Sequence, residues 1–130
     1  MDLTLEKITK ALQASWREDT CYESNDWSTD NPARGQCVVS CFVVNDYLGG
    51  SFQKYRVTGA VQEKHYCNIL WNGVRVDTTL GQYDNLEVSL KPVEIDLKGY
   101  ANCRAKLLSD GDTRRRYEIL KAQVAAILDQ

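Results

Sequence analysis

Cys37, His65 and Asp77 are the side chains from which a thiol nucleophile, its base and the base's orienter can be assembled, and His65 is the only histidine in the chain. A cysteine attacks only as thiolate, and the unpaired backbone N–H groups of a helix's first turn favour that anion. Gly35-Gln36-Cys37, leading into Val38-Val39-Ser40-Cys41-Phe42-Val43-Val44, places Cys37 at such a start. Gly35 permits a tight turn or close backbone approach, while the Cys37 amide and the Gln36 side-chain amide are candidate donors to the oxyanion of a tetrahedral intermediate. The plain alternative makes Cys37 one more small apolar side chain in a buried helix, and His65 a strand-end residue satisfied by backbone. Cys41, one turn further in, reads as inert core.

A different chemistry uses the same letters, because Cys37, Cys41, His65 and Cys67 make up the ligand set of a Cys₃His zinc site. Cys37 and Cys41 are suitably spaced for this on a helix. His65 and Cys67, at alternate strand positions, do not form the tight knuckle of such sites, so no metal and no cofactor are expected.

The elements that must position these groups follow from periodicity. Leu3, Leu5, Ile8, Ala11, Leu12 and Trp16 predict an amphipathic helix over 3–17 with Thr4 as its cap. Residues 17–34 are polar and turn-rich, a long loop just before the nucleophile. Residues 36–48 form a central helix, apolar nearly all round, which Gly49-Gly50 stops; its four valines pull toward strand but its length favours helix. Strands are expected at Phe52–Val57 and across His65–Leu80, the latter broken by a hairpin at Asn72-Gly73. The region 84–111 is poorly patterned, with a short edge strand at Val93–Leu97 preceded by Pro92. Asp112-Thr113 caps a last helix over 113–128, whose inner face is Tyr117, Leu120, Val124, Ile127 and Leu128; its run Arg114-Arg115-Arg116 reads as a solvated face. The fold class is α+β: the central helix carrying Cys37 packs on a small antiparallel sheet, flanked by N- and C-terminal helices.

Hairpin register decides whether Asp77 can serve His65. A two-residue turn at Asn72-Gly73 sets Asp77 opposite Asn68, on the other sheet face from His65. A three-residue loop, Trp71-Asn72-Gly73 with Gly73 left-handed, sets it opposite Cys67 on the face of His65. The second register is preferred, because it gives an aspartate in a strand a partner; in the first, Asp77 is simply solvent-facing.

Composition removes several function classes. With 130 residues, 43% of them hydrophobic, one domain spanning 1–130 can bury its own core. A net charge of −2 and scattered basic residues give no footprint for nucleic acid. The N-terminus lacks a signal-peptide pattern and no run of about 18 apolar residues occurs, so a soluble, cytoplasmic protein is expected. The odd count of cysteines, at 21, 37, 41, 67 and 103, fits thiols kept reduced there.

Trp27-Ser28, Asn31-Pro32-Ala33, Gly35-Gln36-Cys37, the run Val43 to Gly50, His65-Tyr66-Cys67-Asn68, Val76-Asp77-Thr78-Thr79 and Gln82-Tyr83 resemble, in the same order, motifs of the small bacterial proteins of the YunG family. The resemblance resumes in Arg116-Tyr117-Glu118-Ile119-Leu120. It names a relative and no activity. It implies a papain-like core, akin to papain-like and transglutaminase-like cysteine enzymes, in which the nucleophile starts the central helix and the base and orienter come from successive strands. By position, Cys37 matches the nucleophile, His65 the base and Asp77 the third member. The chain departs at Cys67, where an aromatic residue is expected; a thiol on that face could pair with Cys37 in a regulatory disulfide or through its sulfenic acid.

The expected function is cysteine-dependent acyl transfer or hydrolysis at an amide, thioester or peptide bond, on a small-molecule or protein substrate that no segment specifies. The rival is a non-catalytic binding or adaptor protein using the 17–34 loop, with Trp16, Tyr22 and Trp27, as its contact surface.

Overall fold

In the computed structural model, residues 3–130 are described; Met1 and Asp2, which the single-domain reading includes, lie outside the described residues. Thr4 starts the first helix by accepting a hydrogen bond from the Lys7 N–H at 3.2 Å, which satisfies one of the donors every helix start leaves over. The helix, α1, runs Leu5–Ser15. It is shorter than expected at both ends, since Leu3 precedes the cap and Trp16 is already extended. Trp16 turns inward instead, its indole N–H donating to Ser40 Oγ at 2.9 Å on the central helix.

That helix, α2, spans Cys37–Leu48 and ends where Gly49 adopts φ 72°. Its valines do not divert it into a strand, because burial on nearly every side outweighs their local preference. Ile8 and Leu12 of α1, Val39, Phe42 and Val44 of α2, and Leu120 and Val124 near the C-terminus form the main core. Phe42 sits at its centre, edge-on to Phe52 and Tyr117 at ring separations of 5.9 and 5.2 Å.

The sheet has four antiparallel strands in the order β3-β2-β1-β4: β1 (Ser51–Gly59), β2 (Glu63–Ile69), β3 (Arg75–Val76) and β4 (Val88–Val93). Alternate residues of β2 face opposite ways. Tyr66 packs against Cys41, and Asn68 Nδ2 donates to the Cys41 carbonyl at 3.0 Å, so that face looks at α2. The other carries His65 and Cys67, with Tyr55 of β1 directly opposite His65.

The expectations for the later strands and the last helix need correction. The strand expected to run on to Leu80 stops after two residues and a short 3₁₀ turn follows at Leu80–Tyr83, because Asp77 Oδ1 accepts from the Thr79 N–H at 3.3 Å and bends the chain out of the ladder. The edge strand lies at Val88–Val93 and not at 93–97; Pro92 falls near its end, opposite Tyr55, on an edge where a missing N–H leaves no ladder bond unmade. The last helix, α4 (Gly111–Leu128), begins two residues earlier than expected, capped by Asp110, which accepts from both the Thr113 N–H and hydroxyl at 2.9 and 2.8 Å.

Asp112 is thereby free to pair with Arg115 at 2.7 Å and Arg116 at 2.9 Å. Arg116 is only 3% exposed and lies over the Tyr22 ring, so the arginine run is not wholly a solvated face. A further short helix, α3 (Cys103–Leu108), is capped by Asn102 and escapes a periodicity search by its length. Among the described residues, no helix is long and apolar enough to cross a membrane.

The three-helix junction around Phe42 sets the stability of the domain. Phe42→Ala is expected to cost about 3–5 kcal/mol, and Asp110→Ala at the α4 cap distinctly less, both read as shifts in denaturant midpoint.

Candidate active site

Cys37 owes its position to the turn before it. Gly35 has φ 76°, and its carbonyl accepts from the Tyr22 N–H at 2.9 Å. A Cβ there would meet Cys21 Sγ at 2.4 Å, so only glycine lets the 17–34 loop close against the helix start. Cys37 is the first residue of α2, half-buried, on the wall of a cleft of about 560 Å³ whose lining includes Tyr22, Arg34, Lys64, Tyr66 and Gln82. Cys41, one turn on, is sealed in the core, and burial drives its thiol well up from the ordinary range.

The hairpin has the three-residue loop. Gly73 takes φ 83°, Asn68 pairs with Val76 and Ile69 with Arg75, and the same register sets Asp77 against Cys67. Asp77 therefore shares a face with His65, and its Oδ2 lies 2.7 Å from His65 Nε2. The imidazole is fully buried and the carboxylate side chain only 6% exposed. Tyr83 closes the ring edge-on at 5.4 Å.

Burial alone would push the His65 ring toward neutrality, but hydrogen bonds to Asp77 and to Cys37, with the charges of both, outweigh it and raise its pKa from 6.5 to about 9. The Cys37 thiol thus stands beside the ring. With Nε2 held by Asp77, Nδ1 is the nitrogen left to face it. The structure brings Cys37, His65 and Asp77 together.

Gln36 does not join them. Its side chain is fully buried, its Nε2 donates to the Arg17 carbonyl at 3.0 Å, and its Oε1 has no hydrogen-bond partner among the described residues. A different amide occupies the site. Gln82, 2% exposed in the turn after Asp77, donates from Nε2 to the Thr79 carbonyl at 3.2 Å and approaches His65 Nδ1 at 3.5 Å. Its Oε1 accepts from Arg34 Nη1 at 3.3 Å.

Arg34 in turn grips Glu63 with both terminal nitrogens at 2.6 and 2.7 Å, and Glu63 also accepts from the Tyr83 hydroxyl at 2.6 Å. Burial pushes the Glu63 carboxyl up, yet those bonds prevail and hold it below the usual range, while burial and Glu63 push the Tyr83 phenol up. This network joins the loop before α2, the start of β2 and the turn after β3. Gln82-Tyr83 stands among the motifs of the family resemblance but carried no assigned role, and Arg34 and Glu63 gave no signal in the sequence.

Cys67 lies on the face of His65, 1% exposed, with Tyr55 and Arg75 as hydrogen-bonding neighbours, and burial raises its thiol. All five cysteines are free. Among the described residues, no three histidine, cysteine or acidic side chains converge to hold a metal ion.

Because the folded pKa of His65 is raised, its imidazolium stabilises the fold fully below pH 6.5, and that contribution is lost as pH rises through about 9. Unfolding free energy should therefore decline between pH 6.5 and 9, and this decline should flatten in His65→Asn. In Asp77→Asn the His65 titration, followed by NMR, should fall from about 9 toward 6.5.

A family model described as YunG protein matches residues 4–129. The chain is similar to an uncharacterised protein YunG of Bacillus subtilis (strain 168), 33% identical over 79 residues, or 61% of this chain and 63% of that relative's length. No solved structure gives a significant match. Since the family model takes in nearly the whole length, this chain belongs to the YunG protein family.

Proposed function

We infer that this domain is a cysteine-dependent acyl-transfer enzyme or hydrolase acting on an amide, thioester or peptide bond, built on a papain-like core related to the transglutaminase-like enzymes. The observation that carries the reading is the pairing of His65 Nε2 with Asp77 Oδ2 at 2.7 Å, which aims the other face of the ring at a thiol on a cleft. A buried histidine kept only for packing needs neither a carboxylate behind it nor a half-exposed thiol before it.

In this reading Nδ1 of the charged ring holds the proton given up by Cys37, the sulfur attacks the substrate carbonyl, and the proton then passes to the leaving group. Asp77 fixes the ring and stabilises its imidazolium. The backbone N–H of Cys37, in the first turn of α2, is suited to the oxyanion. A reducing, cytoplasmic setting suits the five unpaired thiols.

The adaptor reading keeps one supporting feature: Tyr22, 66% exposed at the cleft mouth. Trp16, at 6% exposed and bonded to Ser40, is withdrawn from any contact surface, which weakens that reading. The two readings separate on reactivity. Cys37 should react with iodoacetamide near neutral pH on the order of tenfold faster than the same residue in urea-unfolded chain, with His65→Ala removing the difference. Equal rates in folded and unfolded chain would leave a binding protein.

A further inference from the structure

We propose that Gln82 is a catalytic residue of this site, its side-chain N–H binding the oxyanion that forms when Cys37 attacks a carbonyl. The inference rests on the acyl-transfer reading and adds to it a donor from the turn after Asp77, far in sequence from the nucleophile.

The amide's orientation is settled by its partners. Oε1 accepts from Arg34, whose guanidinium is held by Glu63, and one Nε2 hydrogen goes to the Thr79 carbonyl. Exchanging oxygen and nitrogen would set two donors face to face at Arg34 and two acceptors at Thr79. The second Nε2 hydrogen is therefore aimed at His65 Nδ1, across a long 3.5 Å contact. It is a buried, preoriented donor without a close partner, on the wall of the cleft that Cys37 lines. Arg34 also draws electron density from the amide and makes that N–H a better donor.

Proton bookkeeping links this donor to the reaction. Before attack, Nδ1 of the charged ring already bears a hydrogen and cannot accept, so the Gln82 N–H facing it across 3.5 Å has no acceptor there. As the Cys37 sulfur, its proton already given up to Nδ1, bonds to the carbonyl carbon, the carbonyl π pair moves onto oxygen. The Gln82 N–H gains a strong acceptor only in that step, so its bond is made in the transition state and not in the resting enzyme. On collapse the carbonyl re-forms, the bond to the leaving group breaks, that group departs with the Nδ1 proton, and the N–H returns to the ring. Gln36, turned to Arg17, offers no such group.

Two reactions of one sulfur test this. Acylation of Cys37 by p-nitrophenyl acetate passes through an oxyanion, whereas alkylation by iodoacetamide does not. Gln82→Met keeps the volume and removes the donor; Gln82→Ala is its companion, and circular dichroism checks that both fold. The expected result is acylation slowed about 100-fold with alkylation within about threefold of the parent. Parallel loss of both reactions would make Gln82 a positioning residue and overturn the proposal, as would no loss of either. If the parent protein itself acylates and alkylates no faster than its unfolded chain, the acyl-transfer reading fails first, a result distinct from any seen in the Gln82 variants.

Discussion

An imidazole shut away from water is charged only if something beside it makes charge cheaper than neutrality. Here the Asp77 carboxylate does so across 2.7 Å, and most of the molecule's local geometry answers to that pair. It selects the hairpin register, ends β3 early and turns the chain toward Leu80–Tyr83, which brings Gln82 and Tyr83 against the ring. A neutral side chain in place of Asp77 would remove the charge that holds the ring as imidazolium.

The nucleophile is held differently. Cys37 depends on packing: α2 is wedged between α1 and α4 on one side and the sheet on the other, and its first residue is fixed by a core many residues away. The two halves of the site thus rest on unlike forces, dispersion and burial for the sulfur, hydrogen bonding and charge for the ring. The Arg34–Glu63 pair is the seam between them, tying the loop that precedes α2 to the strand that carries His65. Arg104 performs a parallel task at the other end of α2, reaching Asn45, Asp46 and Tyr117 to lock α3 and α4 to it.

What could be read from the sequence was what periodicity and parity control. Cys37 at a helix start follows from a glycine pair downstream and an apolar run too long for a strand, and Asp77 on the face of His65 follows from counting residues across Gly73. Gln82 was invisible as a donor because it sits in a 3₁₀ turn with no repeat, and its partners come from Arg34 and Thr79 on different segments. Gln36 misled for a related reason: adjacency to the nucleophile says nothing about which way a side chain turns when the Arg17 carbonyl lies behind it as an acceptor. The two extra residues at the start of α4 went unread because Asp110 and Asp112 are equally good caps on paper, and only the bonds from Thr113 choose between them.

The hairpin at Trp71-Asn72-Gly73 behaves as an odd-or-even counter. One codon gained or lost there would hand the carboxylate to the opposite side of the sheet, while β3, only two residues long, contributes too little pairing to endanger the fold. Descendants of such a chain would diverge by steps and not by degrees: a single in-frame indel separates a lineage keeping a charged histidine from one keeping an inert shell of the same shape.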